Sequence, residues 1–82
     1  MLKKDKKIVK VEFYSGYKGE ETPRAVWIDN REYQVREVVW RKRIRDQESD
    51  RMVEAFKVKI NGETLIIERS ETGECLASRS QD

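Results

Sequence analysis

Basic residues alternate along one stretch of the chain in a way that suits contact with phosphates. The run Arg41-Lys42-Arg43-Ile44-Arg45 reads as a β-strand, in which alternate side chains share a face and recur about every 6.6 Å along it. The three arginines then share one face, whereas Lys42 and Ile44 follow Trp40 to the other. A row of arginines of this kind can hold the backbone of a nucleic acid.

Two lysines and a tryptophan extend this predicted face. If residues 32–45 pair antiparallel with residues 54–60, the outward-facing lysines of the second strand lie beside the arginines. Trp27 lies on the same outer face and pairs with Gln34 if Asn30-Arg31 is the centre of the turn, and a tryptophan there can stack on a base. We therefore expect single-stranded nucleic acid or RNA to bind at Arg41, Arg43, Arg45, Lys57, Lys59 and Trp27.

The same basic residues also fit a surface without a ligand. Charges on an outer strand discourage edge-to-edge aggregation of sheets. Carboxylates that follow in the sequence, Glu63 and Glu68, could neutralise the two lysines, and a one-residue change of register would bury Trp27. The sequence leaves these alternatives open.

Association with another protein chain is the alternative function. Ile66 and Trp27 point outward in the predicted register, and a strand edge at residues 8–14 or 74–78 would lie beside them. Such a patch could form the self-complementary interface of a homodimer. A barrel that encloses a ligand is a third reading, but so short a chain can hardly spare a cavity.

The residue types present argue against most catalytic chemistry. The chain has no histidine and a single cysteine, Cys75, so it offers no imidazole base, no Cys–His pair and no structural zinc site. Asp46, Glu48 and Asp50 have alternate spacing, but the glycine and the closing glutamate of a calcium loop are missing. We expect a non-enzymatic protein without metal or cofactor, in which Cys75 is a half-buried strand residue.

Asn61-Gly62 predicts the clearest hairpin of the chain. Alternating apolar and polar residues lead up to this pair and resume after it, and Asn-Gly suits a type I′ turn, in which both central residues have positive φ. A two-residue turn fixes the register, and it pairs Phe56 with Ile67 and Val58 with Leu65 on one apolar face. The lysines between them then lie on the opposite face.

A second hairpin precedes this one. Residues 24–28 and 32–45 alternate as strands around the turn residues Asp29-Asn30-Arg31. A helix over residues 33–45 is the competing interpretation, but its face would mix charged and aromatic side chains. The apolar phase of the long strand changes, and a β-bulge near Arg36-Glu37 would return both halves to the core.

The remaining segments complete a single domain. The expected divisions are a flexible basic tail (1–7), one β-domain (8–78) with loops at 15–23 and 46–52, and a frayed C-terminus (79–82). A four-residue loop at 70–73 would place Leu76 opposite Ile67, on the core side of the sheet.

The sequence predicts an all-β fold. About six strands follow one another as an antiparallel meander, and a flat sheet with one exposed apolar face would be poorly soluble. The sheet is therefore expected to curl into a small barrel or a strongly bent sheet over one core. The side chains expected in that core are Val9, Val11, Phe13, Val26, Ile28, Tyr33, Val35, Val38, Trp40, Phe56, Val58, Ile60, Leu65, Ile67 and Leu76.

Charge is unevenly distributed along the chain. Residues 1–45 contain 13 Lys and Arg against 7 Asp and Glu, and residues 46–82 contain 5 against 9. One face could therefore attract polyanions while the other stays acidic, or the two halves could neutralise each other across the sheet. No apolar run is long enough for a membrane span, and a lone cysteine fits the reducing cytoplasm.

A stretch of the second hairpin is similar to a known sequence pattern. Its residues are Val26-Trp27 and Arg31-Glu32-Tyr33-Gln34-Val35-Arg36-Glu37-Val38-Val39-Trp40. The stretch resembles the Trp-x-x-x-Arg-x-Tyr-x-Val hairpin of small, uncharacterised bacterial β-proteins, although Asp29-Asn30 stands where a glycine is more usual there. The resemblance covers less than a quarter of the chain. It implies an all-β fold and a bacterial source, and it carries no activity, cofactor or site residues.

Overall fold

One antiparallel sheet makes up the described part of the chain, which in this computed structural model is residues 6–15, 21–46 and 50–80. These residues contain no helix, and none of them forms a segment that could cross a membrane as a helix. The strands are β1 (Lys7–Ser15), β2 (Glu21–Ile28), β3 (Arg31–Gln34), β4 (Glu37–Asp46), β5 (Arg51–Ile60), β6 (Glu63–Arg69) and β7 (Cys75–Arg79). The predicted all-β class is confirmed.

The strand order is β3-β2-β1-β7-β6-β5-β4. Strands that are consecutive in the chain pair antiparallel except for β3 and β4, and β1 pairs with β7, so that Lys7 lies opposite Ala77. The edges of the sheet are therefore β3 and β4, and the sheet curls into a half-barrel. The strand edge predicted at residues 74–78 is wrong, because β7 pairs with both β6 and β1. The edge predicted at residues 8–14 is wrong at Ile8 and Val9, which pair with β7, whereas residues 10–14 of β1 pair with β2 alone.

Val35 and Arg36 carry the chain from one edge of the sheet to the other. The N–H of Val35 donates to the carbonyl oxygen of Arg24 in β2 at 2.9 Å, and the N–H of Arg36 donates to that of Lys59 in β5 at 2.8 Å. The predicted single strand over residues 32–45 is thus two strands that serve opposite edges. We call the gap between β2 and β4 beside this connection the seam.

The hairpin of β5 and β6 has the register that the sequence predicts. Phe56 pairs with Ile67 and Val58 pairs with Leu65. All four side chains are buried, as expected for residues that share the apolar face of a two-sided sheet. The alternation of apolar and polar residues therefore sufficed to locate this part of the core.

The turns of the two hairpins differ from expectation. Gly62 has a φ of 76°, but Asn61 is not among the residues with positive φ, so the predicted type I′ turn at this position is wrong. Positive φ at both central residues occurs instead at Asp29 (52°) and Asn30 (66°). Since Arg31 pairs with Ile28, the centre of that turn lies one residue earlier than Asn30-Arg31.

The core lies on the concave face of the half-barrel, which we call the core face; the opposite side is the outer face. Its members are Val9, Val26, Phe56, Val58, Ile60, Leu65, Ile67, Cys75 and Ala77, with Val11, Phe13, Ile28, Tyr33, Val35 and Val38 packed against them. Every predicted core residue except Trp40 and Leu76 belongs to this set. Val35 and Val38 both pack against the core as predicted, but the predicted β-bulge near Arg36-Glu37 is wrong, because β3 ends at Gln34 and β4 begins at Glu37.

Leu76 lies outside the core because the loop before β7 is longer than predicted. Arg69 pairs with Cys75, so residues 70–74 form the connection. Leu76 consequently pairs with Glu68 on the outer face, and Ala77 takes the place opposite Ile67. One additional loop residue exchanges the two faces of a strand.

Two strands begin earlier than the predicted loops allowed. β2 starts at Glu21 and β5 at Arg51; residues 16–20 and 47–49 of the predicted loops lie outside the described part of the chain. Pro23 is buried within β2, where it pairs with Phe13 beside a register shift. Proline is tolerated at such irregular positions because its missing N–H interrupts the ladder least there. Of the predicted tail, residues 1–5 are likewise not described, and β1 begins at Lys7.

Neighbouring isoleucines provide a test of the face assignment. Ile67 is 0% exposed in the core, whereas Ile66 points to the outer face opposite Lys57. We expect Ile67→Ala to lower the free energy of unfolding by about 2–5 kcal/mol, the range found for buried isoleucine. Ile66→Ala should cost less than half as much, and equal losses in urea denaturation would contradict the assignment.

Candidate nucleic-acid interface

A bulge in β4 divides the predicted binding face. The register of β4 against β5 shifts between Val38, which pairs with Val58, and Trp40, which pairs with Lys57. Val39 is thus an extra residue, and the strand downstream of it changes phase. Trp40 turns to the outer face, and Arg41, opposite Phe56, turns to the core face.

The predicted row of basic residues is therefore on two different faces. Arg43 pairs with Glu54 and Arg45 with Met52, on the same face as Phe56. Lys57 and Lys59 alternate with the buried residues of β5 and lie on the outer face. The prediction that arginines and lysines share a surface is wrong, and the extra residue Val39 is the reason.

Arg41 holds the seam together. Its Nη2 donates to the carbonyl oxygen of Glu21 at 2.8 Å and to Thr22 Oγ1 at 3.2 Å, both in β2. Its guanidinium carbon lies 5.2 Å from the centroid of the Phe56 ring, and Nη1 lies 4.0 Å from the carboxylate of Glu54. Arg41 thus substitutes side-chain hydrogen bonds for the missing pairing of β2 with β4.

A second arginine, Arg69, shares the carboxylate of Glu54 with Arg41 and also binds the carboxylate of Glu21. Arg69 Nη1 lies 2.6 Å from Glu21 and Nη2 lies 2.8 Å from Glu54, while its guanidinium carbon is 4.2 Å from the centroid of the Phe13 ring. Burial acts to lower the pKa of Arg69, but the hydrogen bonds to Glu21 and Glu54 outweigh it, so the pKa is raised above its usual value. We call Glu21, Arg41, Glu54 and Arg69 the rim cluster.

The other two arginines of the predicted row are exposed. Arg45 forms an ion pair with Asp50 at 2.9 Å, whereas Arg43 has no ion pair among the described residues. Asp46, Glu48 and Asp50 are the three acidic residues whose spacing was compared with a calcium loop. Glu48 lies outside the described part of the chain. Within the residues that the structure covers, no group of acidic or cysteine side chains is placed to hold a metal ion.

The outer face of β4 and β5 brings lysines and a tryptophan together. Lys42 Nζ lies 4.7 Å from the centroid of the half-buried Trp40 ring, and Lys57 pairs with Trp40 across the strands. Lys59 follows on the same face, where its Nζ is 3.9 Å from Glu37. We call Trp40, Lys42, Lys57 and Lys59 the lysine–tryptophan face.

The carboxylates proposed to neutralise these lysines have other partners. Glu63 lies 3.5 Å from Arg79, and Glu68 lies 3.0 Å from Lys6. Lys59 is paired instead with Glu37, and both side chains of that pair are exposed. Exposed pairs of this kind contribute little, about 0–1 kcal/mol, so a phosphate can compete for the lysine.

Trp27 lies on the outer face as predicted, but far from the lysines of β5. It pairs with Glu32 and not with Gln34, and Lys10 Nζ lies 5.4 Å from its ring centroid. Four strand steps separate β2 from β5, which is about 19 Å along the sheet. Trp27 therefore forms a separate lysine–tryptophan contact and does not join the predicted face.

Cys75 is buried on the core face. Burial raises the pKa of its thiol; Arg69 opposes this rise and Glu74 adds to it. A high pKa keeps the thiol protonated and unreactive at neutral pH. The residue fills space in the core, more deeply buried than the sequence suggested.

Sequence reasoning missed Trp40 and Lys42 as outer-face residues. The sequence does show that Trp40 and Lys42 share one side of a strand, because alternate side chains lie on the same face. The side itself depends on the bulge, for which the sequence has no signal. No protein-family model, curated protein or solved structure matches the chain.

Neighbouring positions Arg41 and Arg43 test the structural role of the rim cluster. We expect Arg41→Gln to lower the free energy of unfolding by about 1–3 kcal/mol, because it removes charge-assisted hydrogen bonds across the seam. Arg43→Gln should change it by no more than about 0.5 kcal/mol, as for other surface positions. Urea denaturation of both variants decides, and equal effects would contradict this role for Arg41.

Proposed function

We propose that the protein is a non-enzymatic, cytoplasmic binder of single-stranded nucleic acid, either DNA or RNA, and that the lysine–tryptophan face is its contact surface. The observation that carries the proposal is the position of Lys42 Nζ, 4.7 Å from the Trp40 ring, with Lys57 opposite the same ring. An aromatic ring among ammonium groups can stack on a base while the lysines contact phosphates. The lone thiol of Cys75 is consistent with a reducing compartment.

The form of the surface favours a single strand over a duplex. Trp40 is only half-buried, so part of its ring is available to an unstacked base, which a duplex does not offer. The lysines belong to two adjacent strands and follow the sheet across β4 and β5. This arrangement supports stacking and phosphate contact without a groove-reading element, and thus binding with little sequence preference.

The residues proposed to contact the nucleic acid differ from those predicted from the sequence. Arg41 is held in the rim cluster, and Arg43 and Arg45 face the other side of the sheet. Lys57 and Lys59 are retained from the residues predicted from the sequence, and Trp40 and Lys42 replace the arginines and Trp27. No cofactor or metal is part of the proposal.

Lys42 and Arg43 are adjacent in sequence but point to opposite faces, which makes them a matched pair. We expect Lys42→Gln to weaken binding of a fluorescein-labelled single-stranded oligonucleotide, with Arg43→Gln having the smaller effect. The anisotropy titration should show a dependence of log K on log salt with a slope of about −2 for three lysines, reduced by about 0.7 in Lys42→Gln. A larger loss with Arg43→Gln, or no binding by the unaltered protein at low salt, would contradict the proposal.

Self-association is the second candidate function. Ile8 is 72% exposed on the outer face and pairs with Leu76, and Ile66 lies on the next strand of the same face. A two-fold interface between copies would cover this small apolar patch.

The dimer can be tested by sedimentation velocity over a range of concentrations. We expect the unaltered protein to dimerise and Ile8→Lys to remain monomeric, while Ile44→Lys, at an exposed outer-face position of β4, leaves the dimer intact. A strictly monomeric parent protein would exclude this candidate.

A further inference from the structure

A cleft of about 300 Å³ lies at the seam, and none of the residues that line it belongs to the lysine–tryptophan face. The residues that line it are Tyr14, Thr22, Pro23, Arg24, Gln34, Val35, Arg36, Glu37 and Val38. They come from β1, β2, the end of β3, the connection at Val35 and Arg36, and the start of β4, because the sheet does not close between its two edges. The cleft is thus a direct product of the half-barrel topology.

Two arginines make the cleft suited to an anion. Arg24 and Arg36 are both exposed, and their backbones are held close by the hydrogen bond from Val35 N–H to the Arg24 carbonyl oxygen. Neither arginine has an ion pair among the described residues. The carboxylate that lines the cleft, Glu37, lies 3.9 Å from Lys59 instead. Guanidinium groups bind phosphate through paired hydrogen bonds.

The other lining residues suit a planar ring. Tyr14 is 51% exposed, so its ring is available for stacking. Gln34 supplies an amide that can both donate and accept hydrogen bonds. Pro23, Val35 and Val38 provide apolar surface.

We propose that the seam cleft binds a nucleoside monophosphate, with Arg24 and Arg36 on the phosphate and Tyr14 against the base. A volume of about 300 Å³ is at the lower end of the range for ligand sites, which suits one nucleotide unit and not an extended chain. The ligand is either a free mononucleotide or the 5′-phosphorylated end of a strand. The site uses none of the residues of the lysine–tryptophan face and does not rest on the function proposed above.

The test is calorimetric titration of the full chain with adenosine 5′-monophosphate, adenosine and inorganic phosphate, in low salt. We expect the monophosphate to bind, and adenosine to bind at least about tenfold more weakly, because it leaves the arginines without a charged partner. In a ¹⁵N-labelled sample the amide signals of Tyr14, Gln34 and Arg36 should shift on addition of the monophosphate. Equal affinity for adenosine, or shifts located elsewhere, would overturn the proposal.

Charge-matched variants separate a built site from general attraction. Arg24→Gln and Arg36→Gln should each weaken binding of the monophosphate by about tenfold. Arg31→Gln removes the same charge at an exposed position outside the cleft and should change affinity by less than about twofold. Equal losses in all three variants would show bulk electrostatics and refute the site.

Oligonucleotides with and without a 5′-phosphate distinguish the two sources of the ligand. A gain in affinity from the 5′-phosphate that disappears in Arg36→Gln assigns the cleft to strand ends; binding of the free monophosphate without such a gain assigns it to free nucleotides. If a 5′-hydroxyl strand binds through Lys42 but the monophosphate does not bind, the cleft proposal fails and the proposed function stands. If the monophosphate binds but the 5′-hydroxyl strand does not, the proposed function fails and the cleft proposal stands.

Discussion

The connection between β3 and β4 sets the shape of the whole molecule. The edge strand β3 ends at Gln34, and the opposite edge strand, β4, begins at Glu37. The three peptide units between these two residues span at most about 11 Å. The sheet must curl until its edges come within that distance. Curling lets a single layer cover its own apolar face, with no helix or second sheet in the described residues to cover it. A chain of 82 residues buries a smaller fraction of its surface than a larger protein does. The curled sheet allows it to enclose a core without a second layer.

The same curvature explains why arginines serve the fold here. The rings of Phe13 and Phe56 pack against each other on the core face, with their centroids 5.9 Å apart. Arg69 and Arg41 lie over those rings, and they share the carboxylate of Glu54. The long apolar stems of arginine can cover a core while the charged ends stay partly in water. An arginine such as Arg41, which the sequence places in a row of possible phosphate contacts, can therefore be needed instead to cover the core and to bridge the seam.

The sequence predicted the fold well where alternation alone decides it. The register of β5 with β6 follows from the alternation on either side of Asn61-Gly62, and nearly all of the remaining core follows from period-two patterning in the other strands. It failed wherever one extra residue changes the phase, as at Val39 and in the loop before Cys75. A bulge is stabilised by the partner strand and by the curvature of the sheet, and neither is encoded in local composition. The lysines of β5 were placed on the correct face because β5 keeps an unbroken alternation. The arginines of β4 were placed on the wrong face because the extra residue Val39 shifts the alternation before them.

The pairing of β1 with β7 has a consequence for how the molecule folds. Lys7 and Ala77 lie at opposite ends of the described chain, so this ladder closes the longest loop in the sheet. Such contacts cost the most chain entropy and form late. The hairpins of β2 with β3 and of β5 with β6 can form from local sequence, but β1 acquires its second neighbour only once β7 has been synthesised. During synthesis on the ribosome, the edge of β1 at Lys7–Val9 that faces β7 therefore stays unpaired until β7 emerges.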